Sequence, residues 1–385
     1  MSKFYLLGER LSHSLSVPIH HFFGNFDYQL LELKPNEVAE FLSSRQYVGL
    51  NVTIPYKQAV MPYLDYISPE AKAIGSVNTI VNRNGQLCGY NTDYSGFEYM
   101  LIRAGIDYDN KKVAILGTGG TSKTANALFK AHGCDTLVIS RFPGGTNIGY
   151  ADTEKYRDAQ ILVNTTPVGM YPDLYNSPID LDIFTNLSAT VDVIYNPLRT
   201  RLTLDAKDRG LAYTNGLSML CHQAAMSHSL FFDCNVPDTE AIIKHLTTER
   251  INTVYIGMPG CGKTTIGMLD AKNTGRKFID TDAEIEKKYS MSISEIFHKF
   301  GEKRFRQMEI ELSRELSTVT GCVIATGGGF VTTEAIKNLR YNSEIVYIRK
   351  NLDELIVGKK TLSKNVDELF RERKDLYEKY EDYDY

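Results

Sequence analysis

Two glycine-rich stretches on this 385-residue chain have the spacing that lets backbone amides approach a phosphate. "GMPGCGKTT" (257–265) fits G-x-x-x-x-G-K-[ST] without deviation. In that pattern Gly257, Gly260 and Gly262 bring backbone N–H groups around the phosphates, and Lys263 neutralises β/γ oxygens. Thr264 can ligate Mg²⁺, with Thr265 beside it at the start of the helix. "GTGGTSKTA" (117–125) reads differently. Gly117, Thr118, Gly119 and Gly120 sit between an apolar strand and a helix, where a pyrophosphate can rest on the helix N-terminus. Ser122 stands where the third glycine of G-x-G-x-x-G would be. The next strand ends in Ser140-Arg141 rather than Asp or Glu, and a cation there suits a 2′-phosphate, favouring NADP over NAD.

Other polar residues recur in set places. "SHSLS" puts Ser14 and Ser16 two apart, on one side of an extended segment. "NVTIPYK" carries Thr53 and Lys57, "SVNT" presents Asn78, and "GYNTD" presents Asp93. Taken singly these are a turn serine, a solvated lysine and a capping aspartate. Behind the second glycine loop, "FIDTD" ends a short strand with Asp280 and Asp282 expected on one side of it. One carboxylate can hold a metal's water shell while the other faces an acceptor hydroxyl. "FGEKRFRQME" offers Arg306 and Glu309 at i, i+3 on a helix, and "ATGGGF" brings the bare backbone of Gly327, Gly328 and Gly329 to a ligand.

The elements that must position these residues follow an α/β pattern. Strand-like runs ("KFYLLG", "YQLLEL", "VGLNVTI", "NTIVN") alternate with helical ones over residues 1–100. "KKVAIL", the glycine turn, a helix burying Ala125, Leu128, Phe129 and His132, and "TLVIS" then form a βαβ unit. All prolines but Pro259 precede residue 251, and the residues after it hold nearly half of the Asp, Glu, Lys and Arg. "PDTEAIIKHLTTER" (237–250) reads as a closing helix and "INTVYIG" as a fresh buried strand, so a domain boundary is expected near 248. The polar tail "YEKYEDYDY" is expected to fray.

Bulk properties narrow the function. A net charge of −4 and a pI near 6.1 supply no basic field for nucleic acid. No stretch reaches 18 apolar residues, and "MSKFYLLGE" lacks the shape of a signal peptide, so no membrane is expected. The six cysteines form no CxxC pair or zinc spacing, which predicts buried reduced thiols and a cytoplasmic protein.

Together the residues of 1–245 resemble shikimate dehydrogenase. The family order H-S-x-S, N-V-T-x-P-x-K, V-N-T, G-x-N-T-D and G-x-G-G is matched, followed by "NTTPVGM", "DVIYNP" and "GLSMLCHQ". The resemblance implies Lys57 and Asp93 as the catalytic pair, with Ser14, Ser16 and Tyr195 on the substrate carboxylate. It puts Thr53, Asn78 and Gln223 on the ring hydroxyls, Arg141 on the 2′-phosphate and Gly216 near the nicotinamide. The family often has Asn-Arg-Thr where this chain has "SRF", and the glycine-containing stretch after Phe142 predicts a reduced helix beside the cofactor.

Residues 251–385 resemble shikimate kinase, with P-loop, D-T-D, F-R-x-x-E, G-G-G and a late R-x-x-L-Y. By that resemblance Asp282, Arg306, Arg373 and Gly327–Gly329 bind shikimate, while Lys263, Thr264 and Asp280 manage ATP and Mg²⁺. Three departures stand out: "KTLS" in the lid with Lys360 for an arginine, Asp375 for a proline, and an end at Tyr385 before the adenine-side segment. They predict weak ATP affinity and low turnover.

The expected architecture is a substrate-binding α/β domain (1–100, completed by about 206–248), an NADP-binding Rossmann-like domain (101–205) and a P-loop kinase domain with a parallel sheet (249–385). The expected function is bifunctional, in aromatic amino acid (chorismate) biosynthesis. NADPH reduces 3-dehydroshikimate to shikimate, and ATP with Mg²⁺ converts shikimate to shikimate 3-phosphate. The alternative is a working dehydrogenase joined to a degenerate kinase that binds ligand or regulates.

Overall fold

The computed structural model describes residues 3–11, 14–350, 355 and 366–384. It divides into two compact units, one of Met1–Asn196 with Thr200–Lys244, the other of His245–Tyr385 with Pro197–Arg199.

The first unit holds two sheets. One is built from β1 (Phe4–Gly8), β2 (Tyr28–Glu32), β3 (Gly49–Val52), β4 (Tyr66–Ile67), β5 (Thr79–Arg83) and β6 (Gln86–Tyr90), in the order β2-β1-β3-β5-β6-β4. It is mixed, because the short turn at Asn84-Gly85 forces β5 and β6 to run antiparallel. The other comprises β7 (Lys112–Leu116), β8 (Asp135–Ser140), β9 (Ile148–Gly149), β10 (Ile161–Asn164), β11 (Ala189–Asp192) and β12 (Ala212–Thr214). Its order is β12-β11-β10-β7-β8-β9 and all its pairs are parallel.

A parallel sheet is covered on both faces, so its strands read as unbroken apolar runs. In β7, Val113 and Ile115 pack with Phe97, Leu128 and Phe129 on one face. Ala114 and Leu116 pack with Tyr156 and Leu202 on the other. The helix Gly120–Ala131 buries Ala125, Leu128 and Phe129 as expected, but His132 is not on that face. It lies beyond the last turn, where its ring meets Asp109 (2.8 Å) and Glu98 (3.5 Å), because two carboxylates offer more than an apolar wall. After β8 the chain makes only a small bridge between Gly144 and Asn147 and a four-residue helix, Thr153–Tyr156, the reduced segment the glycines predict.

The second unit packs β13 (Asn252–Ile256), β14 (Lys277–Asp280), β15 (Cys322–Ala325), β16 (Ser343–Tyr347) and β17 (Tyr383–Asp384) in the order β14-β15-β13-β16-β17, all parallel. The tail does not fray. Tyr383 and Asp384 pair with Val346 and Tyr347, and Asp382 both donates its N–H to Ile345 O (2.7 Å) and accepts from Ile345 N (2.9 Å). An edge strand satisfies backbone groups that a polar composition alone does not reveal. The predicted closing helix is present as Thr239–Arg250, started by the Asp238 carboxylate accepting from Glu240 and Ala241 N–H. Lys360 and the lid lie outside the described residues.

Among the described residues no helix is long and apolar enough to cross a membrane. All six cysteines are unbridged; Cys88, Cys221, Cys261 and Cys322 are buried, whereas Cys234 is exposed, against expectation.

Candidate active sites

The first site is a cleft of about 510 Å³. Ser14, Ser16, Thr53, Lys57, Asn78, Asp93, Tyr195, Gly216 and Gln223 all line it. Lys57 comes from the loop after β3, and Asp93 opens the helix Asp93–Arg103, where a carboxylate suits the N-terminal dipole. Lys57 Nζ donates to Asp93 Oδ2 at 2.5 Å, with both side chains largely shielded from solvent. Ser16 is not on an extended segment but begins the helix Ser16–Phe23. The two serines still meet, because Ser14 Oγ accepts from Ser16 N–H (3.2 Å) and donates to Ser16 Oγ (3.1 Å), a local serine turn.

Behind the cleft runs a buried polar network that sequence reasoning did not single out. Asn51, the first residue of "NVTIPYK", also lines the cleft. Its Oδ1 accepts from Tyr28 OH (2.9 Å) and its Nδ2 donates to Ser227 Oγ (2.8 Å) and Thr79 Oγ1 (3.2 Å). Asn78 Oδ1 in turn accepts from Thr92 N–H (2.8 Å), and Asn78 Nδ2 donates to Thr92 Oγ1 (3.0 Å). Asn78 thereby fixes the residue next to Asp93. Membership of a quoted motif could have flagged Asn51; Ser227, far along a helix, gave no such signal.

The motifs "NTTPVGM" and "DVIYNP" meet at Asp192. Its Oδ1 accepts from Asn164 Nδ2 and Ile194 N–H (both 3.1 Å), and its Oδ2 accepts from Thr200 Oγ1 (2.6 Å). Burial pushes the Asp192 carboxyl up to about 7. This clamp shapes the loop that presents Val193 and Tyr195 to the cleft.

The glycine turn adjoins the dyad. Gly117 takes φ +105°, and a Cβ there would meet Thr165 Oγ1 at 2.7 Å. A Cβ on Gly119 would meet nothing within 4 Å, and one on Gly120 would lie 3.7 Å from Lys57 Cδ. Gly117 N–H donates to Ile139 O (2.9 Å), so the turn and the end of β8 are neighbours. Arg141 there is exposed, with no hydrogen-bond or carboxylate partner among the described residues. A bare backbone cradle beside an uncommitted cation fits a dinucleotide bearing a 2′-phosphate.

In the second unit the P-loop joins β13 to the helix Lys263–Thr274, with positive φ at Gly257, Gly260 and Gly262. Lys263 Nζ donates to the carbonyls of Gly257 and Met258 (both 2.9 Å), and burial lowers its pKa. Thr264 Oγ1 donates to Asp280 Oδ2 (2.8 Å), the hydroxyl–carboxylate pairing that fits a phosphate-bound Mg²⁺. Thr265 follows on the exposed side of that first turn. Asp282 is not on β14, as expected, but in the first turn of the helix Thr281–Tyr289. Asp280 ends the strand and caps that helix by accepting from Asp282 N–H (3.0 Å).

Arg306 and Glu309 are no surface pair. Arg306 Nη1 donates to Glu309 Oε2 (2.8 Å), and Glu309 is fully buried. A Cβ on Gly327 would meet Asp282 Oδ1 at 2.6 Å and Glu309 Oε1 at 3.0 Å, and one on Gly329 would overlap the Arg306 guanidinium. Gly328 O accepts from Arg373 Nη1 (3.1 Å) and Tyr377 OH (2.5 Å). The site therefore gathers two carboxylates, two guanidiniums and bare backbone. Burial, then the Asp280 charge, push Asp282 up to about 6, and burial pushes Glu309 to about 7.

The shikimate kinase family model matches residues 259–384, and the model for the shikimate dehydrogenase substrate binding domain matches residues 6–80. A shikimate dehydrogenase (NADP(+)) of Clostridium beijerinckii is 36% identical over 252 residues, spanning 61% of this chain and 93% of that one. Among solved structures, shikimate dehydrogenase 1 from Peptoclostridium difficile superposes with a TM-score of 0.59 at 37% identity, covering 64% of this chain and 98% of its own. The shikimate 5-dehydrogenase of Thermus thermophilus in complex with NADP(H) and shikimate gives 0.58 at 32%, covering 63% and 98%.

Proposed function

This chain belongs to the shikimate dehydrogenase family and carries a shikimate kinase domain behind it, and from that premise we propose that it catalyses two successive steps. The first reduces 3-dehydroshikimate to shikimate with NADPH; the second phosphorylates shikimate to shikimate 3-phosphate with MgATP. The observation that carries the reading is the Lys57–Asp93 pair lying in a cleft with the Gly120 backbone at its side.

NADP(H), when bound, supplies or takes the hydride. Lys57 gives a proton to the forming hydroxyl oxygen in reduction and takes it back in oxidation, while Asp93 holds the ammonium in place. Ser14, Ser16 and Tyr195 hold the substrate carboxylate, and Thr53, Asn78 and Gln223 orient the ring hydroxyls. Residues 1–100 with about 206–248 make this substrate lobe and carry Gly216 near the nicotinamide, and 101–205 present Gly117–Gly120 and Arg141 to the cofactor.

In residues 249–385, MgATP supplies the phosphoryl group when bound. Lys263 and the loop amides would balance phosphate charge, and Thr264 with Asp280 would hold the Mg²⁺. Asp282 accepts the proton of the attacking hydroxyl, and Arg306, Arg373 and Gly327–Gly329 seat the acceptor. The raised position of Asp282 supports this, since a base tuned near neutrality works best.

Both reactions are assayed on one purified chain, with 3-dehydroshikimate plus NADPH and with shikimate plus MgATP. NADPH consumption and shikimate 3-phosphate formation are the expected results. No product at saturating MgATP, with shikimate still bound in the second unit, would reduce the kinase half to a ligand-binding domain.

A further inference from the structure

Phe142 is 83% exposed, the most of any large apolar side chain among the described residues, and it directly follows Arg141 at the end of β8. A single exposed apolar side chain is ordinary on a surface, but an aromatic face this open offers a flat area that a planar ring can cover. The turn that carries it is hydrogen-bonded at both ends. Ser140 Oγ accepts from Phe142 N–H at 3.1 Å, and the Gly144–Asn147 bridge closes the loop behind. β8 lies beside β7, and Gly117 N–H bonds Ile139 O, so Phe142 emerges at the carboxyl ends of the two strands that flank the glycine turn. In an open parallel sheet that crevice is where a nucleotide lies.

We propose that Phe142 is the adenine platform of the dehydrogenase cofactor, a face on which the purine ring stacks while Arg141 engages the 2′-phosphate. The proposal rests on the NADP reading of this site and deepens it. Stacking acts on every face of a purine and reads no phosphate, so Phe142 sets affinity for both nicotinamide dinucleotides, whereas Arg141 sets the choice between them.

The chain has no tryptophan, which makes the test direct. Phe142→Trp creates a single indole, titrated with 2′,5′-ADP, which carries adenine and the 2′-phosphate but no nicotinamide. Saturable quenching of the indole emission is expected. Phe142→Ala should raise KM for NADP⁺ and for NAD⁺ by the same factor, roughly tenfold, without moving their ratio. Unchanged emission in Phe142→Trp while calorimetry shows 2′,5′-ADP bound would overturn the platform and leave the NADP site standing. So would an unchanged KM in Phe142→Ala. A wild-type chain that binds no 2′,5′-ADP would remove the NADP reading, and the platform with it.

Discussion

The two sites arrange charge in opposite ways. In the first unit the one cation and one anion of the dyad bond each other, and Asn51, Asn78, Thr79, Thr92 and Ser227 form a closed network behind them. Among the described residues, the buried atoms without a protein partner near this cleft, Ser76 Oγ and His20 Nδ1, belong to neutral groups, burial holding the His20 imidazole uncharged. In the second unit, Asp282 Oδ1, Glu309 Oε1 and Arg373 Nε all lack one among the described residues. An unpaired charged atom in a low dielectric costs far more than an unpaired hydroxyl. The first site is thus held in working geometry by its own hydrogen bonds, while the second keeps charge that its ligands can satisfy. Its binding energy and stability should depend more on those ligands and on pH.

The largest effect should come from removing each site's cation. Lys57→Ala should lower NADP-dependent shikimate oxidation by ~10²–10⁴ through lost proton transfer, with shikimate 3-phosphate formation kept. Lys263→Ala should abolish phosphorylation by ~10² or more and spare oxidation. Steady-state assays of both reactions on each variant check this. Near wild-type kcat for oxidation in Lys57→Ala would remove that lysine from the mechanism.

How much of this was legible in sequence differs between the units for the same reason. Residues in short contiguous motifs, such as Lys57, Asp93, Lys263 and Gly117, could be named because local spacing fixes their geometry. The two-residue spacing of Asp280 and Asp282 predicts a strand and carries no sign of the helix that Asp280 caps. Asn51's partner Ser227 and the β17 pairing join residues far apart in sequence, and no local pattern encodes such contacts. His132 looked apolar-facing by periodicity until the helix ended and carboxylates captured its ring.

A smaller effect separates the cofactor's charge from its ring. Arg141→Asp should weaken NADP⁺ by about 10–100-fold relative to NAD⁺, because a carboxylate repels the 2′-phosphate yet can bond a 2′-hydroxyl. The ratio of the two kcat/KM values measures it. A ratio that does not move would take Arg141 away from the phosphate.

The kinase reaction should be the more pH-sensitive on the acid side. Asp282 must be ionised to accept a proton, and its carboxyl titrates near 6. kcat/KM for phosphorylation should therefore fall about tenfold per unit below pH 6. Asp282→Asn should remove most activity, and what remains should lose that limb. An acid limb that persists unchanged in the variant would assign it to another group.

The smallest effect is on stability, and its sign follows from the same carboxyls. Asp282 and Glu309 hold protons in the folded second unit at pH values where the unfolded chain, with ordinary carboxyls near 3.8 and 4.5, has released them. Their contribution is therefore greatest in acid and is lost as pH rises through about 6 and then about 7. Glu311, held low by Arg304, gains its stabilisation below that window and does not offset the trend. Without ligands, the second unit should melt a few degrees lower at pH 8 than at pH 5.5. Calorimetry can follow that transition, identified as the one that MgATP raises. In the first unit the comparable group is Asp192, titrating near 7 but bonded by Asn164, Ile194 and Thr200. Glu309→Gln should flatten the second unit's dependence while leaving the first unit's slope as it was. If Glu309→Gln leaves the second slope intact, the buried charge beside Gly327 is not what sets the stability of this unit, and the contrast between the two sites is one of catalysis alone.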